Sequence, residues 1–226
     1  MVTRVLVVFA TSDEAEILQK ITGVISPGES FRFGRCAISV LVTGVGGIST
    51  AWGMKQWLSN NPYPDLAINA GIAGSYSGEI NIGDVVMPVT DRFADMGIEI
   101  GDKLMTLSEA GMIDPDEFPF EGGIIYVRNK YIERAGNILK KVNGITVNLC
   151  SGSEATIVRL RNKFNPDIET MEGATFFYIC AKEKIPFLSV RAISNKVEPH
   201  NRDSWDIPLA LENLAGKMKD LLLMLE

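Results

Sequence analysis

Arg4-Val5-Leu6-Val7-Val8-Phe9-Ala10 is apolar at every position after its arginine and runs directly into Thr11-Ser12-Asp13-Glu14-Ala15-Glu16. A strand with one wet face would alternate apolar and polar residues. This one does not, so both of its faces must be covered, as in a parallel or mixed sheet with helices on either side. Runs of the same kind recur at Ala37–Thr43, Leu66–Ala70, Val85–Val89, Ile145–Leu149 and Phe187–Ile193. Helical patterns stand between them at Asp13–Ile21, Ser49–Ser59, Ser153–Phe164 and Gly173–Glu183, with a last one at Leu209–Leu225. In that last segment Leu211, Leu214, Met218, Leu222 and Leu225 recur at spacings of three and four, which predicts one apolar stripe. The alternation predicts a single α/β domain spanning residues 1–226, with Gly and Pro concentrated in the connections Gly71–Gly83, Asp95–Gly123 and Glu198–Pro208. Ala94–Gly123 is the least regular stretch and reads as a lid or a subunit contact.

Composition narrows the chemistry. With 226 residues, 46% hydrophobic and 22% charged, the chain can bury a large core beneath an ordinary polar surface. A net charge of −6 and the absence of any basic run argue against a nucleic-acid partner. No stretch approaches the roughly 18 apolar residues of a membrane span, and the N-terminus lacks the basic start and long apolar region of a leader. Cys36, Cys150 and Cys180 are odd in number and far apart, the usage expected of reduced thiols in a cytoplasmic protein. The one histidine, His200, leaves little scope for a metal centre or a His-based triad, so no metal or organic cofactor is expected. Catalysis would fall to carboxylates, amides, arginine and backbone groups.

In α/β sheets ligands bind beyond the carboxyl ends of the strands, and that is where the polar residues collect. Asp13 and Glu14 follow the first strand; their position in a first helical turn, where negative charge is favoured, is one reading of them. Thr170-Met171-Glu172 precedes a helix in the same way. Gly44-Val45-Gly46-Gly47 joins a strand to a helix but has Ser49 where a dinucleotide fingerprint needs its third glycine, so it reads as a tight turn against a ligand or a neighbouring strand. Asn69-Ala70-Gly71-Ile72-Ala73-Gly74 allows close backbone approach. Val190-Arg191-Ala192-Ile193-Ser194-Asn195 puts an arginine near the end of a buried strand, where it needs a partner; Glu14 and Glu172 are the candidates.

Taken in order along the chain, these motifs resemble the nucleoside phosphorylase and nucleosidase family from end to end. The resemblance implies a twisted mixed β-sheet surrounded by helices, assembly as a homo-oligomer (a dimer above all), and cleavage of the bond between ribose and base. It also implies roles: Glu172 on the ribose hydroxyls, Met171 packed against the sugar, Glu14 as general base and Arg191 organising the water site. Gly46 and Ile72 fall among the expected substrate contacts, with Ile72 standing where some relatives have serine.

Water as the acceptor has a physical argument of its own. A carboxylate about 4 Å from a phosphate dianion is repelled by roughly 8 kcal/mol at an effective dielectric near 20, and the loop Asp13–Glu16 contains no cation to offset it. A carboxylate there suits proton abstraction from water. Asn195 can donate to O6 of a purine and accept from a protonated N7, the pattern of a 6-oxopurine, whereas relatives that cleave 6-aminopurine nucleosides have Asp there. The stretch Asn195–Ala210, with Ala94–Gly97 and Ser151–Thr156, most resembles the branch of the family that hydrolyses futalosine, whose base is hypoxanthine and whose far end carries a benzoate. Arg202, or else Arg92, is the expected partner of that carboxylate. Phe93 and Trp205 are the aromatic candidates for stacking on the base. Hydrolysis of inosine or methylthioadenosine, or nucleoside binding without turnover, are the alternatives.

Overall fold

The apolar run at the N-terminus lies in the middle of the sheet. In the computed structural model, which describes residues 2–22, 30–101, 103–199 and 202–225, it forms β1 (Thr3–Phe9). This strand pairs in parallel with β3 (Cys36–Val42) on one side and β4 (Leu66–Ser75) on the other. Val5 to Phe9 are buried on both faces, as the unbroken apolar pattern requires. β4 continues in parallel to β11 (Phe187–Lys196), which meets β5 (Val85–Asp91) antiparallel. Beyond it, β9 (Lys140–Thr146) and β10 (Ile168–Thr170) follow in parallel.

β10 then pairs antiparallel with β4. The strands β4, β11, β5, β9 and β10 therefore close on themselves, while β1, β3 and the antiparallel edge strand β2 (Ser30–Phe33) continue the same nine-stranded sheet. Closure satisfies backbone groups that an open edge would expose. It also brings Glu169 and Asn195 to the same residue of β4, since both pair with Gly74. The short β8 (Ile125–Tyr126) adds to β5, and β6 (Gly97–Ile100) with β7 (Lys103–Thr106) form a separate hairpin.

The helices cover the sheet: α1 (Ser12–Ala15), α2 (Ile17–Thr22), α3 (Gly47–Asn60), α4 (Ile132–Gly136), α5 (Glu154–Phe164), α6 (Gly173–Lys182) and α7 (Ile207–Met224). α5 ends where Asn165 adopts a left-handed conformation, one of the few tolerated by a non-glycine residue. α7 starts earlier than its apolar stripe suggests. Asp206 caps it by accepting from Leu209 N at 3.0 Å, and Pro208 sits in its first turn, where a missing N–H costs nothing. Leu214, Met218 and Leu222 of the expected stripe are fully buried, and Leu211 turns towards the cavity described below.

Several elements differ from expectation. The strand read at Ile145–Leu149 runs instead from Lys140 to Thr146. Its outward Lys140, Lys141 and Asn143 mask it in an apolar scan, and Leu149 lies beyond it at 81% exposure. Gly71–Ser75, read as connection, is β4 itself. The first helix is broken at Glu16. The irregular stretch after Ala94 holds the β6–β7 hairpin, and β2, β8, β10 and α4 were too short to show a period. His200 lies outside the described residues.

Met218 has no exposure and anchors α7 against the sheet. Met218→Ala should lower the unfolding free energy in urea by about 2–5 kcal/mol, against less than about 0.5 kcal/mol for the exposed Lys219→Ala.

Candidate active site

The carboxyl ends of β1, β4 and β11 and the start of α6 surround a cavity of about 280 Å³. Glu14, Ile72, Met171, Glu172 and Asn195 all line it. Residues more than 180 positions apart in sequence thus meet in one place.

Glu14 is 6% exposed and held on both oxygens. Oε2 accepts from the backbone N–H groups of Ala10 and Thr11, both at 3.0 Å, and Oε1 accepts from Ile72 N at 3.1 Å. The Thr11 hydroxyl accepts from Glu14 N at 3.2 Å, so the residue also completes the capping box of α1. The helix-terminal reading and the cavity reading therefore both describe it. Burial raises its pKa; the Arg191 charge and the Ile72 N–H oppose that rise, and Glu172 adds to it. A carboxylate pushed towards neutrality is a stronger base than a free one.

Arg191 is 1% exposed and lies behind the cavity wall. Its expected carboxylate partner is not in contact. One guanidinium nitrogen, Nη2, donates to Asn69 Oδ1, and Asn69 Nδ2 donates in turn to Val8 O at 3.1 Å. Arg191 reaches Glu14 through space instead, across Gly71. A Cβ on that glycine would stand 2.6 Å from both Arg191 Nη1 and Glu14 Oε1, so only glycine leaves room for the two groups.

Glu172 is 6% exposed and precedes α6. Its Oε1 accepts from Gly46 N at 2.9 Å. Gly46 has φ of 91°, a conformation that turns its N–H to the carboxylate. The glycine turn after β3 therefore holds a side chain, and its residue Val45, not Gly46, is among those that line the cavity. Met171 lies beside Cys150, with the sulfurs 3.6 Å apart.

Asn195 follows a break in strand register between Ile193 and Asn195, a bulge that turns consecutive side chains, Ser194 and Asn195, towards the cavity. Its Nδ2 donates to Lys196 O at 3.0 Å, and its Oδ1 accepts from Ser194 Oγ at 2.8 Å. Lys196 O can only accept, so it fixes which end of the amide is the donor. One N–H remains for a ligand.

Two of the expected residues lie away from the cavity lining. Arg202 sits in an exposed 3-10 turn, Arg202–Ser204, and does not line the cavity, because the turn carries it outward. Arg92 is elsewhere too: its guanidinium lies 5.1 Å from the Phe164 ring centroid, beside a second cavity that Phe93 also lines. Of the two aromatic candidates, Trp205 reaches the cavity and Phe93 does not. Sequence reasoning missed Glu169, Leu211 and Ile207, all of which line it, while Ser151, in a stretch that the sequence singled out, lines it too. For Glu169, the three-residue strand Ile168-Glu169-Thr170 holds one apolar residue, so no pattern in the sequence marked it.

Comparison with known proteins places this arrangement. The family model of the phosphorylase superfamily matches residues 4–224. The chain belongs to the phosphorylase superfamily. It is 27% identical over 187 residues to futalosine hydrolase of Thermus thermophilus, covering 80% of each chain. It is 29% identical over 186 residues to 5'-methylthioadenosine/S-adenosylhomocysteine nucleosidase of Glaesserella parasuis, covering 77% of this chain and 76% of that one. The nucleosidase of that second name from Colwellia psychrerythraea, solved with adenine, superposes with a TM-score of 0.80 at 16% identity, covering 100% of this chain and 96% of that one. The superfamily fold expected from the sequence is therefore the observed one.

Beneath the Met171–Glu172 turn lies a buried acid. Asp91 is 1% exposed, and its Oδ1 accepts from Arg92 N at 2.8 Å and from Thr146 Oγ1 at 2.9 Å. Thr146 Oγ1 accepts from Ala174 N at 2.7 Å, and Thr170 Oγ1 accepts from Gly173 N at 3.1 Å. The other oxygen of Asp91 has no partner and packs against Gly173. Burial pushes its pKa up from 3.8 to about 7. The folded state thus prefers the proton, and the associated stability is complete below pH 4 and lost as pH rises to 7. Asp91→Asn, which mimics the protonated acid, should gain about 3 kcal/mol relative to wild type between pH 5 and pH 8, measured by urea unfolding at both values.

Proposed function

We propose that this protein is an N-glycosidase that hydrolyses a 6-oxopurine nucleoside, with futalosine as substrate and hypoxanthine as the released base. The observation that carries the reading is one cavity lined by a buried carboxylate (Glu14), a second carboxylate (Glu172) beside Met171 and an amide of fixed orientation (Asn195), which the reading casts as base, ribose ligand and purine ligand.

Water is favoured over phosphate by how the β1–α1 turn uses its donors. The N–H groups of Ala10, Thr11 and Ile72, which could cradle an anion, are already occupied by Glu14. A phosphate would meet a carboxylate there, and the buried Arg191 is engaged with Asn69. In the proposed mechanism Glu172 accepts from the ribose hydroxyls and Met171 packs on the sugar. As the glycosidic bond breaks, positive charge develops on the ribose between Glu14 and Glu172, and electron density moves to the purine. N7 gains a proton from solvent as the bond breaks, and the remaining Asn195 N–H stabilises the density at O6 while its carbonyl accepts from N7–H. Glu14 takes the proton of the attacking water, and Arg191, across Gly71, moderates the rise in the Glu14 pKa so that the group remains ionisable.

A methylthioadenosine-type substrate is the second reading, because relatives of that name are as similar in sequence as the futalosine hydrolases. Asn195 favours the first: its donor end would face the 6-amino group of adenine, donor against donor. We also propose a homodimer. Ile48 and Trp52, one turn apart on α3, are 87% and 68% exposed, Leu149 is 81% exposed, and their neighbours Val45 and Cys150 line the cavity. Among the described residues no helix is long and apolar enough to cross a membrane.

Glu14→Gln should lower kcat by roughly 10²–10⁴ while changing substrate affinity little. Near-normal turnover would remove Glu14 as the base. Chromatography of products from futalosine, inosine and methylthioadenosine, with and without phosphate, should show free hypoxanthine from futalosine in both buffers. Release of a ribosyl phosphate, or a preference for the adenine nucleoside, would contradict the reading. Sedimentation should find a dimer that Trp52→Asp dissociates.

A further inference from the structure

Glu169 stands at the same end of the cavity as Asn195. It is 7% exposed, lines the cavity and pairs across β10–β4 with Gly74, the residue that Asn195 faces across β11–β4. Gly74 has no side chain to separate them. From the point where its Cβ would lie, Asn195 Nδ2 is 3.1 Å away and Glu169 Cγ is 3.6 Å away. A donor and an acceptor thus flank one bare strand position.

The Glu169 carboxylate is oriented from behind. Tyr76 OH donates to Oε2 at 3.0 Å and Ser151 N donates to Oε1 at 2.9 Å. Burial and the negative charge of Glu169 push the Tyr76 phenol well up, so it keeps its proton and donates. A carboxylate offers about four lone-pair sites, and these two bonds leave one on each oxygen. No cation among the described residues forms an ion pair with it, so its remaining capacity calls for an N–H from a ligand.

We propose that Glu169 accepts the N1–H of the purine while Asn195 donates to O6, so that the two side chains together select a 6-oxopurine over a 6-aminopurine. This rests on the 6-oxopurine reading above and names the residue that enforces it. In a 6-oxopurine the acceptor O6 and the donor N1–H are adjacent on one edge, the complement of Asn195 beside Glu169. Adenine reverses both groups: its 6-amino group would face the Asn195 N–H, and its unprotonated N1 would face the carboxylate. A polar site built for one pattern rejects the other strongly, because its buried groups are left without partners. Gln at position 169 can satisfy Ser151 with its carbonyl and present its NH₂ to the ligand, which removes the rejection of adenine.

The test compares kcat/KM for inosine and methylthioadenosine in wild type, Glu169→Gln and Glu169→Asp. The expected result is that the inosine to methylthioadenosine ratio falls at least about tenfold in Glu169→Gln, mainly through KM, and recovers in part in Glu169→Asp. An equal loss on both substrates would mark Glu169 as merely structural and overturn the proposal. A second arm needs no variant. Hypoxanthine should inhibit wild type at least about tenfold better than 1-methylhypoxanthine, which lacks the N1–H, and equal inhibition would overturn the proposal. Wild-type preference for methylthioadenosine would instead defeat the 6-oxopurine reading itself, and it is read before any substitution at Glu169.

Discussion

A guanidinium with 1% exposure must have its charge compensated, and in this protein the compensation for Arg191 organises the functional end of the sheet. Its hydrogen bond goes to Asn69 on the neighbouring strand, and Asn69 is tied to the carbonyl of Val8 on the strand beyond. Three parallel strands are locked at matching heights by polar atoms that water cannot reach. The charge itself acts on Glu14 across Gly71, where no other residue fits. The result is a cavity-lining carboxylate, Glu14, whose pKa is raised by burial yet restrained by a cation it does not touch.

The same economy of backbone appears on the opposite wall. Glu172 is held by the N–H of Gly46, and the turn that carries it is tied down by the Thr146 and Thr170 hydroxyls, with Asp91 behind them. Helix termini and glycine turns that elsewhere bind phosphate here hold side chains of the protein itself. That substitution is what inclines the site towards water: its anion-binding donors are already occupied by carboxylates.

The juxtaposition of Asn195 and Glu169 depends on closure of the sheet. Because β10 returns to β4, Gly74 has β11 on one side and β10 on the other, and Asn195 and Glu169 face one another across it. An open sheet would leave Glu169 on a distant edge. The bulge after Ile193 adds the second half by turning Ser194 and Asn195 to the cavity together. In the proposed reading, hydrogen-bond polarity at this pair, and not overall identity, separates the futalosine hydrolase and 5'-methylthioadenosine/S-adenosylhomocysteine nucleosidase names borne by similar relatives.

The amino-acid sequence by itself determined the central strands, the long helices and the residues at the carboxyl ends, because unbroken apolar runs and a 3.6-residue period are local signals. Val5–Phe9 and the α7 stripe were legible for that reason, whereas Glu14, Met171, Glu172 and Asn195 stood out through the resemblance of their motifs to the family. Strand β9 was misplaced because its outward lysines hide it, and β2, β8 and β10 are too short for any period to emerge. Tertiary structure alone decided what pairs with what. It gave Arg191 to Asn69, turned Gly46 to Glu172, set Arg202 on an outer turn and brought Glu169 beside Asn195. Hydrogen bonds between residues a hundred positions apart have no signature in local pattern, since their cost and benefit depend on burial that exists only once the sheet has closed.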